Sequence, residues 1–277
     1  MGFRYGVCTW IFGEISLEEV SQKLSKLGYD GVELFGDWER YPPRQTRRLL
    51  AEHGLSVFSL TPADVDLAHP ESRIRKEALD YYFSLLDFAS EVGSPMIACH
   101  GQVGRVRPMS TLEEEEGLFA EGVAKIAERA ASAGLRVVLE VLNRYESHLL
   151  NTAAQARTFV EALDSPAVGI LLDTYHMNVE EDDLSVAIRL AGEKLFLFHV
   201  ADSNRRAVGR GHVPFPALFR TLAQIGYQGP VIVECTAPGP DPFTPAKGPG
   251  WREQVWEEVA TSLQWLKLLQ QLGVERR

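Results

Sequence analysis

The chain has 277 residues, 45% of them hydrophobic and 24% charged, a balance ordinary for a soluble globular protein. A formal net charge of −10 argues against a protein that holds nucleic acid mainly through phosphate contacts. Three scattered cysteines, Cys8, Cys99 and Cys235, exclude a disulfide framework, and no apolar run is long enough to span a bilayer.

The opening MGFRYGVCTW lacks a basic stretch leading into a long apolar one, so no signal peptide is expected, and a reducing, cytoplasmic setting is. Residues 5–10 read as a first strand. Ser16 stands before LEEVSQKLSKLG, so a serine caps a helix that Gly28 closes. Strands are predicted at 31–35 and 56–60. Residues 71–93 form a long amphipathic stretch with Leu79, Phe83, Leu86 and Phe88 on recurring turns. A fourth strand covers 96–100. Thr111 with Glu114 resembles a capping box opening a helix that ends near Gly134. Strand five covers 136–141, and Asn151 or Thr152 caps the next helix, which runs to about Leu163. The alternation continues with strands 169–173, 195–200 and 231–234 and helices 184–191, 216–225 and 254–272. Between the last strand and the last helix, APGPDPFTPAKGPGW reads as an ordered loop over the mouth of the fold.

Eight short runs rich in Val, Ile, Leu and Phe alternate with helical patterns, which predicts an α/β fold, a (β/α)8 TIM barrel in a single domain over 1–277. A doubly wound sheet fits less well, because no Gly-rich phosphate loop follows the first strand.

Catalytic groups of such barrels sit at the C-terminal ends of strands. Strand five ends RVVLE at Glu140, strand six GILLD at Asp173, strand seven LFLFH at His199 and strand eight VIVE at Glu234. Singly, each is as readily structural. Together on consecutive strands they would crowd unpaired polar groups at one mouth, and a divalent cation resolves that. Three carboxylates and an imidazole suit Mn²⁺ first, with Co²⁺, Mg²⁺ and Zn²⁺ also open. Glu146 and Arg144 lie in the loop after strand five, His176 three residues past Asp173, and Arg205 six past His199. Arg144 is expected to pair with a neighbouring carboxylate.

The stretches LEVLNRYESHLLNT, GILLDTYHMNVEE, FHVADSNRRAVGRGHVPF and VIVEC resemble the xylose isomerase-like sugar isomerase/epimerase superfamily, within it the D-tagatose and D-psicose (allulose) 3-epimerase group. YGVCTW and GYDGVELFG in the first half match in pattern only. The resemblance implies that Glu140, Asp173, His199 and Glu234 hold the metal. It also implies that Glu140 and Glu234 are the acid/base pair, and that Glu146, His176 and Arg205 bind O1 and O2 of a sugar. The implied reaction is epimerisation at C3 of a free ketose through a metal-stabilised enediolate. Trp10, Phe12, Trp38 and Trp251 are available as aromatic walls around the distal sugar carbons. A homodimer or homotetramer is implied, with Trp256 and Trp265 of the last helix available for its interface.

An aldose–ketose isomerase and a keto-inositol dehydratase would use the same metal site and stay open. An apurinic endonuclease fits poorly, because it needs more histidines than the region offers and the chain is acidic. A sugar-binding barrel without activity is not favoured, since every ligand and both bases are present. No Gly-rich, Lys-containing phosphate loop is visible, which points to an unphosphorylated sugar.

Overall fold

A computed structural model describes residues 2–241 and 243–274. Among the described residues there are eight strands: β1 Tyr5–Cys8, β2 Gly31–Phe35, β3 Ser56–Thr61, β4 Met96–Cys99, β5 Arg136–Glu140, β6 Val168–Asp173, β7 Leu195–Val200 and β8 Val231–Val233. The helices between and after them are α1 Leu17–Leu27, α2 Pro43–Glu52, α3 Ser72–Val92, α4 Leu112–Ser132, α5 Ala153–Leu163, α6 Thr174–Glu180, α7 Leu184–Ala191, α8 Phe215–Gln224 and α9 Trp251–Val274.

All ladders are parallel, and the strand order β3-β2-β1-β8-β7-β6-β5-β4 describes a sheet wrapped on itself. β3 and β4 pack side by side where the ring meets. This is the expected TIM barrel. The strands are buried along almost their whole length, as parallel strands covered by helices must be.

Helix ends follow local chemistry. Ser16 accepts from the Glu19 amide at 3.2 Å, and Gly28 leaves α1 at φ 89°, which a side chain rarely adopts. Thr152, rather than Asn151, caps α5, and its box with Gln155 is complete. Only half of the box expected at α4 forms. Thr111 accepts from Glu114 N, but the carboxylate that turns back is Glu115, which accepts from the amides of Met109 and Ser110.

Two helices depart from the expected set. α2 begins at Pro43, whose missing N–H costs nothing in a first turn, and shows a short buried face of Thr46 and Leu50. α6 starts directly after β6, with the Asp173 carboxylate capping it through Tyr175 N at 2.8 Å. His176 therefore sits on a helix. Among the described residues no helix is long and apolar enough to cross a membrane.

Candidate metal centre

Glu140 and Asp173 end β5 and β6, His199 is the penultimate residue of β7, and Glu234 directly follows β8. One ligand atom from each lies within 4.8 Å of the others, and all four residues are buried. His199 Nδ1 is 3.4 Å from Glu234 Oε2 and 3.9 Å from Glu140 Oε1.

Register brings them level. Between β6 and β7 the pairing steps from Ile170↔Leu195 to Leu171↔Leu197, skipping Phe196, and so sets Asp173 opposite His199. Without that extra residue Asp173 would face Phe198. Gly169 makes room below, since a Cβ there would lie 2.2 Å from the Phe196 ring. Such bulges re-aim side chains beside functional sites.

His199 Nδ1 and Asp173 Oδ2 are buried without any hydrogen-bond partner. Leaving both unpaired is costly. A divalent cation accepts both lone pairs and offsets three converging carboxylates, so the donor set fits such an ion.

Electrostatics separates the carboxylates. Burial and the nearby Glu234 charge raise Glu140 well above the usual carboxylate range. Burial and Glu234 push Asp173 up to about 7. Burial would also raise Glu234, but Arg205 and His199 outweigh it and hold Glu234 well below its ordinary value. Glu234 Oε1 accepts from Trp10 Nε1 at 2.7 Å and Oε2 from Arg205 Nη2 at 3.2 Å.

The three expected substrate contacts surround this cluster. Arg205 sits in the left-handed region at φ 57°, stacks 4.6 Å over Tyr175, and leaves Nε and Nη1 buried without partners. A non-glycine in that region is strained by about 1–3 kcal/mol, and such strain collects at functional sites. His176 Nδ1 accepts from the Asn143 amide N at 3.3 Å and from Asn143 Nδ2 at 2.7 Å. That assigns the ring proton to Nε2, which lies 3.8 Å from Asp173 Oδ2 and 4.0 Å from Glu140 Oε1. Burial and Arg205 keep His176 neutral. Glu146 accepts from Asn143 Nδ2 at 3.0 Å, and burial raises its carboxyl above the ordinary value.

Arg144, itself exposed, pairs through Nη2 at 2.6 Å with the nearly buried carboxylate of Glu180. Of the aromatic residues, Trp10 reaches the centre. Phe12 is buried against Trp256 at 4.5 Å between rings, and Trp38 packs on Tyr81 and Phe88. Trp256 is thus occupied within the chain, and Trp265 is the exposed one of the α9 pair.

Two residues of the site carry no assigned role in the sequence reading. Asn143 orients both His176 and Glu146. Glu33, in the middle of β2, is fully buried and lies 3.1 Å from His199 Nε2. Its signal was present, because a carboxylate inside an apolar parallel strand is costly unless paired.

A (β/α)8 barrel with a carboxylate–imidazole cluster at the C-terminal mouth defines the class. Residues 21–269 match the xylose isomerase-like TIM barrel family, and the chain belongs to it. The D-psicose 3-epimerase of Agrobacterium fabrum is 41% identical over 251 residues, covering 86% of this chain and 84% of that protein. The D-psicose 3-epimerase of Ruminiclostridium cellulolyticum is 34% identical over 251 residues, 86% of this chain and 83% of that one. The crystal structure of D-psicose 3-epimerase with D-tagatose from Clostridium cellulolyticum H10 superposes with a TM-score of 0.88 at 25% identity, covering 96% of this chain and 99% of that chain. With such relatives along most of its length, the chain is an enzyme.

Proposed function

We propose that the chain is a metal-dependent ketose 3-epimerase acting on free sugars. The observation that carries this reading is the convergence of Glu140 and Glu234 on one cluster of ligand atoms from β5 and β8, in opposed electrostatic settings. The epimerase relatives support the choice of reaction.

A proton on carbon beside a ketone is weakly acidic, so removing it needs a base and a place for the charge. Glu140, Asp173, His199 and Glu234 would hold one divalent metal, Mn²⁺ as first choice, which supplies positive charge where the enediolate's negative charge develops. Glu234, kept ionised by Arg205 and His199, takes the C3 proton. The C–H electron pair moves into the C2–C3 bond and the carbonyl pair onto O2. Glu140, whose setting favours the protonated carboxyl, returns a proton to the opposite face of C3. The reverse reaction exchanges the two roles. Two groups of opposed proton affinity on either side of one carbon are what inversion requires.

Arg205 Nε and Nη1 and the His176 Nε2–H are donors for O1 and O2, and Glu146 accepts from a sugar hydroxyl. Trp10 fixes Glu234 and closes one side. Self-association as a homodimer or homotetramer completes the reading. Exposed Trp265 and Leu268 on α9 support it, and light scattering tests it.

The test is incubation of D-fructose or D-tagatose with enzyme and Mn²⁺ in D₂O, followed by NMR. Deuterium at C3 of both epimers is expected. Deuterium confined to C1 would make the enzyme an aldose–ketose isomerase, and product lighter by one water would make it a dehydratase. Glu234→Gln and Glu140→Gln should each lose about 10³-fold in C3 exchange while still binding Mn²⁺. Full activity in either variant removes its acid/base role.

A further inference from the structure

We propose that Glu33 is a positioning residue, whose carboxylate fixes the His199 ring so that Nε2–H points at Glu33 and the Nδ1 lone pair points into the metal centre. The inference rests on the metal-dependent reading above.

Four donors converge on the Glu33 carboxylate. Oε2 accepts from Ser59 Oγ and faces His199 Nε2 at 3.1 Å. Oε1 accepts from Thr61 Oγ1 at 2.7 Å and from Cys8 Sγ at 3.4 Å. An ionised carboxylate accepts only, so the nitrogen facing it must carry hydrogen. The other ring nitrogen, Nδ1, has no hydrogen-bond partner and lies within 3.9 Å of both Glu140 and Glu234 carboxylate oxygens. One ring edge is therefore tied and the other left open, which is the arrangement that a histidine ligand needs.

The support behind Glu33 is built for this. The β2–β3 register steps from Val32↔Val57 to Glu33↔Ser59, skipping Phe58. Ser59 and Thr61, two residues apart on one strand, thus share the face that meets Glu33. A carboxylate anchored from β1 and β3 then reaches across the barrel to β7. A purely structural core would be served as well by apolar residues of similar volume, since a buried ion pair adds little net stability. Orientation of a ligand is what the pair provides here.

Mn²⁺ titration by isothermal calorimetry on wild type, Glu33→Gln and Thr61→Val tests the proposal. Its companion is the ¹⁵N imidazole spectrum of Zn²⁺-loaded wild type. Glu33→Gln should bind Mn²⁺ roughly 10–100-fold more weakly, the range for loss of an outer partner of a metal-bound histidine. Thr61→Val keeps the Glu33–His199 contact and should bind within about threefold of wild type. The spectrum should show His199 protonated at Nε2 and metal-bound at Nδ1. Unchanged Mn²⁺ affinity in a folded Glu33→Gln overturns the proposal, as does ligation through Nε2, which needs no variant to detect. Wild type that binds no Mn²⁺ removes the metal centre and this role together. Wild type that binds it while Glu33→Gln binds equally removes this role alone.

Discussion

Trp10 Nε1 donates to Glu234 Oε1 at 2.7 Å, joining the second residue beyond β1 to the carboxylate after β8 across the seam between the first and last strands. A hydrogen bond to a charged group contributes about 1.5–3 kcal/mol. Trp10→Phe keeps the ring and removes the donor. It should lower kcat by roughly 10-fold or more while Mn²⁺ affinity changes little. Steady-state epimerisation with parallel calorimetry measures both, and an unchanged kcat would show that Glu234 does not depend on the indole.

Proton competition at the ligands sets a pH dependence for metal uptake. Asp173, pushed up to about 7, must lose its proton before it can ligate. Mn²⁺ affinity should therefore rise from pH 6 to pH 8, with protons released on binding. Calorimetry in two buffers of different ionisation enthalpy counts them. Affinity that is flat across this range contradicts the raised carboxyls.

The metal-free protein carries the same groups into its stability. Asp173 keeps its proton up to about 7 in the fold but ionises near its ordinary value when unfolded, so the fold binds more protons between those points. His199, raised well above its ordinary value as Glu33 and Glu234 outweigh burial, acts in the same direction at higher pH. Stability of EDTA-treated enzyme should fall as pH rises from 4 through 7, and Mn²⁺ should flatten the slope. Melting curves at several pH values check it, and parallel slopes with and without Mn²⁺ would contradict it.

Arg205 is placed by its backbone as well as its charge. Arg205→Lys keeps one positive charge but loses the planar fork that reaches Glu234 while leaving two nitrogens free. Activity should fall by about 10²–10³, as for loss of an oxyanion donor. The kcat and KM of the variant, with circular dichroism to confirm folding, decide the matter. Activity within threefold of wild type would remove Arg205 from the reaction.

A second buried network holds the rim of the barrel. Glu115, fully buried, pairs with Arg105 and with His148 Nε2 at 2.8 Å, and Arg105 also pairs with Asp66 at 2.9 Å, so loops after β3, β4 and β5 are tied together. Burial would raise the Glu115 carboxyl, but Arg105 and the amides of Ser110 and Met109 lower it to about 2. Its stabilisation is complete above its ordinary value of 4.5 and is lost as pH falls towards 2. Glu115→Gln should cost about 2 kcal/mol near neutrality, because Arg105, left with Asp66 alone, and His148 each lose a charged hydrogen-bond partner. Urea unfolding at pH 7 and pH 3 should show a smaller gap between variant and wild type at the lower pH.

The carboxylate–imidazole cluster is legible because each of its members closes an apolar run, and a buried parallel strand announces itself by such a run. Glu140, Asp173, His199 and Glu234 needed only that rule. Glu33 was hidden because it interrupts a run rather than ending one, and the partner that explains it lies 166 residues away. α2 was missed because PRQTRRLLAE is mostly polar and exposes nearly all of its surface. α6 was missed because TYHMNVE is a two-turn helix fused to a strand, capped by a residue already read as a ligand. The bulges after Val32 and Ile170 leave no compositional trace, yet they decide which side chains stand level.

The separation between Glu33 and His199 bears on how the chain folds. The four residues of the candidate metal centre all come from the second half of the sequence, while the residue tied to the histidine comes from the first, and contacts so distant in sequence form late. A chain still emerging from the ribosome has β2 long before β7. The Nδ1 edge of His199 is thus aligned only once the ring is joined across β1 and β8, so under the proposed metal-dependent reading capture of a cation would report completion of the barrel rather than start it.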